Sequence, residues 1–162
     1  MGISIAFWIL TVVGVLAALG VVLLRNVFRA ALSLVLCFIA VAGIYATLSA
    51  DFLAAAQVLI YVGAISVLII LAIMLTRDFQ RGSPSNKLRI PALFVAVLFF
   101  AAVGFATLNT LWQVSEVSPV MPTTEALALK LFGEGGFILP VEIAAVLLLA
   151  AILGAIVLVR EK

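Results

Sequence analysis

Five stretches of this chain carry almost no charge, and each is long enough to cross a membrane. They are Ile3–Leu24, Ala30–Leu48, Leu53–Leu75, Ile90–Leu111 and Pro140–Val159. A hydrocarbon core of about 30 Å takes roughly 20 helical residues. No water is available there to satisfy backbone N–H and C=O groups, so runs of this length predict helices. A β-barrel would need short segments alternating between apolar and polar residues, and these runs do not alternate. The expected fold is an all-α integral membrane protein, one membrane domain over residues 1–162 with five transmembrane helices. A soluble fold is excluded: only 10% of the residues are charged, against about 25% in soluble domains. The first run is read as a retained helix rather than a signal peptide, because no basic residue precedes it and its apolar core is too long.

Topology follows from the nine basic residues. Arg25 and Arg29 lie between the first two runs, Arg77, Arg81, Lys87 and Arg89 between the third and fourth, and Arg160 and Lys162 in the tail; the other set of connections holds only Lys130. Basic residues concentrate on the cytoplasmic side, so the N-terminus is expected outside and the C-terminus in the cytoplasm. The sequence pI near 9.0 reflects this topology, and no nucleic-acid partner is expected. In the outer loop 112–139, Pro119 and Pro122 break the chain. Thr123 or Thr124 is placed to cap a short helix through Phe132, which Gly133, Gly135 and Gly136 end. Leu127, Leu131 and Phe132 give that helix an apolar side for the membrane surface or a partner.

The chain has no histidine, one cysteine and three methionines. Haem, zinc and iron–sulfur sites draw on several His or Cys ligands, so no cofactor or metal is expected on this chain. Cys37 is read as a small buried hydrophobe. Glu142 is the single charge inside an apolar run. Two readings are open for it. With Pro140 at the first helical position, Glu142 stands near the helix start, where the dipole favours a carboxylate; alternatively it handles protons, the default hypothesis for an ionisable group in a span.

The third run reads DFLAAAQVLIYVGAISVLIILAIML from Asp51 to Leu75. In an α-helix Gln57 and Tyr61 share a face, with Ala54 and Ala64 beside them. At 1.5 Å per residue Tyr61 lies about 12 Å into the run, near mid-membrane. Both polar groups need hydrogen-bond partners there, so this face should meet protein or water. Gly63 admits either a close helix neighbour or a local rewinding. A single-turn π-bulge would insert one residue and rotate everything after it by about 100°.

AAAQVLIYVGAISVLIILAIML, centred on YVGA at Tyr61–Ala64, and TEALALKLFGEGGFILPVEIAAVLLLAAILGAIVL resemble subunit J of bacterial respiratory complex I. This family is the counterpart of mitochondrial subunit 6 and of the matching membrane subunit in the cyanobacterial and plastid enzyme, and the resemblance covers nearly the whole chain. It implies a membrane subunit of a proton-translocating NADH-quinone oxidoreductase with no catalytic centre of its own. Quinone, flavin and iron–sulfur clusters would sit on other subunits, and subunits of the A, H, K and N types would be neighbours. The membrane would be the bacterial inner membrane, or the thylakoid for a cyanobacterial type. The resemblance also implies that Tyr61 and Gly63 belong to a π-bulge whose conversion to regular helix opens or closes a hydrated path. Gln57 stands where relatives carry a carboxylate or an amide, so it is read as a hydrogen-bonding group rather than a proton carrier. Two rival classes are a small autonomous transporter or channel, disfavoured because no carboxylate lies near mid-membrane, and a purely structural assembly subunit.

Overall fold

The computed structural model describes residues 2–76, 88–112 and 123–159. They form six helices: α1 Gly2–Leu23, α2 Val27–Thr47, α3 Asp51–Leu75, α4 Arg89–Asn109, α5 Thr123–Phe132 and α6 Ile138–Val159. All except α5 are long and apolar enough to cross a membrane, and no strand occurs among the described residues. Arg77, Arg81, Lys87, Arg160 and Lys162, on which the topology reading leans, and the loop breakers Pro119 and Pro122 lie outside the described residues.

Helix ends fall within three residues of expectation, and the departures have local causes. α2 starts at Val27 rather than Ala30 because the Asn26 side chain caps it, accepting hydrogen bonds from the amides of Phe28 (3.0 Å) and Arg29 (3.2 Å). Such a cap satisfies two of the amides that a helix start leaves without partners. α6 starts at Ile138 rather than Pro140. Proline is tolerated at this third position because first-turn amides have no intrahelical acceptor to lose. At the other end of α4, Thr107, Asn109, Thr110 and Trp112 all donate back to carbonyls of residues 103–107, which supplies partners to the otherwise orphaned end.

α2 is the centre of the packed part. α1 lies antiparallel along one side of it: a Cβ on Gly14 would meet the Ala40 Cβ at 3.4 Å, and one on Gly43 would meet the Leu10 side chain at 2.8 Å. Ser33 Oγ donates to the Ala17 carbonyl at 2.8 Å. α3 runs along the other side of α2, and the backbones of α1 and α3 do not approach each other. The buried apolar residues are all alanines, at positions 17, 31, 40 and 42. In lipid, burying a large apolar side chain against another helix gains little, so small residues that allow close backbone approach decide where helices meet. Ala17 faces this seam, and Cys37, read as buried, is half-buried.

The α2–α3 turn is closed by Ser49 at φ 59, with Ala50 N–H bonded to the Tyr45 carbonyl (2.9 Å) and Ser49 N–H to the Ala46 carbonyl (3.2 Å). This is the left-handed helix stop usually given to glycine. Thr123, the first residue of α5, donates its hydroxyl to the Ser49 carbonyl at 3.2 Å, which ties the outer helix to this turn. The apolar side of α5 faces its own chain: Leu127, Leu131 and Phe132 line an apolar groove with Phe52 of α3 and Pro140 and Ala144 of α6. α6 touches the rest of the described chain only through α5, and α4 packs on no other described helix.

Candidate functional site

The middle of α3, Gln57–Ile65, is π-helical. In such winding amides reach the carbonyl five residues back rather than four, as the Ser66 amide does to Tyr61 at the end of the segment, while the Gln57 amide at its start still bonds Leu53 and Ala54. Val58, five residues before Gly63, presents the carbonyl that a Cβ on Gly63 would meet first, at 3.4 Å. That is ordinary contact distance, and no other described atom comes within 4 Å of it. Of the two readings of Gly63, rewinding is what the structure displays; no other described helix packs on it.

The wide winding follows from what α2 covers. Gln57 (8% exposed) and Ser66 (3%) are the two buried polar residues of the described chain. Nine positions apart, they would fall on opposite faces of a regular helix at 3.6 residues per turn. Nine positions make about two whole turns of π winding, at roughly 4.4 residues per turn, which returns both to the side facing α2. From Gln57 onward the covered positions run Gln57, Val62, Ile65, Ser66, Ile69, Ile70 and Ile73. The step of five from Gln57 to Val62 is the rewinding seen as burial.

Gln57 and Tyr61, expected on one face, differ in how far this chain covers them. Gln57 is buried, whereas Tyr61 is 44% exposed, and Gly63 and Ala64 are exposed as well. The Tyr61 ring rests edge-on against Phe38 of α2, with centroids 5.4 Å apart and planes at 67°. Among the described residues neither the Tyr61 hydroxyl nor the Gln57 amide side chain has a hydrogen-bond partner. Ser66 closes the segment: its amide and its hydroxyl (2.7 Å) both donate to the Tyr61 carbonyl. The sequence reading gave no role to Ser66 or Phe38. A serine five residues after the tyrosine is a weak signal, and Phe38 carries none, because its place opposite Tyr61 depends on how two helices lean.

Glu142 is separate from this cluster. It lies on the second turn of α6, beyond the first turn where the dipole acts most strongly, because the helix starts two residues earlier than expected. It is exposed on this chain and has no hydrogen bond or ion pair among the described residues. No contact joins α6 to the π segment.

Comparison with known proteins gives a consistent picture. A family model described as NADH-ubiquinone/plastoquinone oxidoreductase chain 6 matches residues 17–158. The chain is 45% identical over 161 residues to the NAD(P)H-quinone oxidoreductase chain 6 of Synechocystis sp., covering 97% of this chain and 80% of that one. It is 42% identical to the protein of the same name from Leptolyngbya boryana, covering 98% and 80%. It is also 39% identical over 160 residues to the F(420)H(2) dehydrogenase subunit J of Methanosarcina mazei, covering 96% and 90%.

Proposed function

The chain belongs to the NADH-ubiquinone/plastoquinone oxidoreductase chain 6 family, and from that premise we propose that α3 helps couple quinone reduction to proton pumping by changing between π and α winding. The subunit works within complex I/NDH-1. The observation that carries this reading is the nine-residue π segment with an exposed Tyr61 within it.

A π-to-α change at Gln57–Ile65 turns one end of α3 relative to the other by about 100°. Such a change supplies the discrete two-state element that coupling over distance requires. In the π form the Tyr61 phenol is held against Phe38 with its hydroxyl unsatisfied by its own chain, and it is free to bond water or a neighbouring subunit. Rotation would withdraw it. Tyr61 thus conditions a hydrated path, and Gln57, which cannot titrate, supplies hydrogen bonds rather than protons. The N-terminus lies outside and the residue 77–89 connection lies in the cytoplasm, by the distribution of basic residues. Subunits of the A, H, K and N types cover the outward faces, and the quinone, flavin and iron–sulfur groups reside on other subunits. Relatives named for NAD(P)H and for F(420)H(2) match at similar identity, which fits a subunit that does not select the reductant.

The test is proton translocation in vesicles carrying the assembled enzyme. Tyr61→Phe and Gly63→Val are expected to lower protons moved per electron at least twofold while the complex assembles at normal levels. If both variants assemble and pump at the unmodified ratio, the coupling role is wrong and the scaffold reading takes its place.

A further inference from the structure

We propose that Ser66 is a positioning residue that holds the π register of α3, through two hydrogen bonds from one residue to the Tyr61 carbonyl. The proposal deepens the coupling reading above and rests on it for its functional consequence.

The hydroxyl donates at 2.7 Å to a carbonyl five residues back, and the Ser66 amide donates to the same oxygen. Elsewhere Thr11, Thr47, Thr76, Thr107 and Thr110 also return their hydroxyls to helix carbonyls, and each reaches three or four residues back. Three or four residues is the ordinary reach of such a bond. Ser66 reaches five because the wider turn presents the Tyr61 carbonyl to it. In α winding the Ser66 amide would pass to Val62, the Tyr61 carbonyl would take the amide of Ile65, and the hydroxyl would have to leave Tyr61 for the Val62 carbonyl. Both bonds therefore break at one atom for the register to change. Ser66 is 3% exposed, so no water stands ready to bridge the exchange, and the two bonds break before their replacements form. The same residue holds the Tyr61 backbone, and so the placement of the phenol against Phe38.

The experiment uses the assembled complex with Ser66→Ala and Ser66→Thr, the second keeping the hydroxyl. Particles imaged under one redox condition are sorted by whether the residue 66 amide bonds Tyr61 or Val62. Amide hydrogen exchange of the 57–70 segment is measured alongside, so that opening is read even where one register dominates. Ser66→Ala should lower the π-to-α ratio, or raise exchange, by about two- to tenfold, the weight of one hydrogen bond, and Ser66→Thr should restore it. An unchanged ratio and unchanged exchange in Ser66→Ala, or a threonine variant that behaves like alanine, overturns the proposal. If Ser66→Ala shifts the register while protons per electron stay constant, the positioning role stands and the coupling reading fails.

Discussion

α2 and α6 are apolar helices of 21 and 22 residues, yet α2 buries Ala31, Ala40 and Ala42 against its neighbours while α6 buries nothing in this chain. α4 resembles α6 in this respect. The difference does not come from hydrophobicity, which all of these helices share. α2 sets Ala40 against Gly14 and Gly43 against Leu10 of α1, with Ser33 bonding across to Ala17. α6 carries Ala150 and Gly154, but both are exposed, and no described atom lies within 4 Å of where a Gly154 Cβ would be. Since lipid tails are as apolar as leucine, close fit rather than apolarity holds membrane helices together. The first three helices thus make a unit of their own, and α4 and α6 are left for surfaces outside the chain.

The sharpest way to break this comparison is to enlarge one glycine in each region. Gly43→Leu drives a side chain into Leu10, whose methyl carbons lie 2.8 and 2.9 Å from the new Cβ. Overpacking of this kind costs about 1–3 kcal/mol, and the amount of subunit held in the membrane should fall about tenfold. Gly154→Leu should leave that amount unchanged but lower the fraction recovered in the assembled complex several-fold. Equal losses in both assays for both variants would erase the distinction between the two regions.

A smaller effect is expected at Thr123, whose bond to the Ser49 carbonyl belongs to the one described route from the packed unit to α6. Thr123→Val removes a hydrogen bond worth about 1 kcal/mol, and amide exchange in residues 123–132 should rise about fivefold, with exchange in α1 and α2 unchanged. The smallest effect is expected at Glu142. Glu142→Gln keeps the shape and most of the hydrogen bonding of a side chain that takes no partner within its own chain, so proton pumping should change less than twofold. A tenfold loss would assign it proton handling through a neighbouring subunit and make α6 a functional rather than a docking helix.

Much of this was legible in the residues. Five spans, their ends to within three positions, and the short helix 123–132 follow from apolar runs, caps and breakers. The Tyr61–Ala64 element lies within the π-helical stretch of α3. The faces were less legible. A regular helix puts Gln57 beside Tyr61, yet Gln57 is buried and Tyr61 is 44% exposed against Phe38, a difference that residue spacing does not carry. The start of α2 moved because Asn26 caps it, a local signal that hydropathy passes over. Pro140 suggested a helix start because proline favours the first position, but the third position tolerates it as well.

The sequence by itself determined that this chain crosses a membrane in helices, because hydrocarbon leaves a long apolar backbone no other way to satisfy its hydrogen bonds. It also determined that the chain's chemistry is sparse, because residues that are absent cannot ligate or transfer protons. The tertiary structure decided which helices touch and how α3 is wound. Those outcomes depend on fit between surfaces. The residues from Gln57 to Ser66 can bond in either register, and in the π register both Gln57 and Ser66 lie against α2 while Ser66 bonds the Tyr61 carbonyl twice.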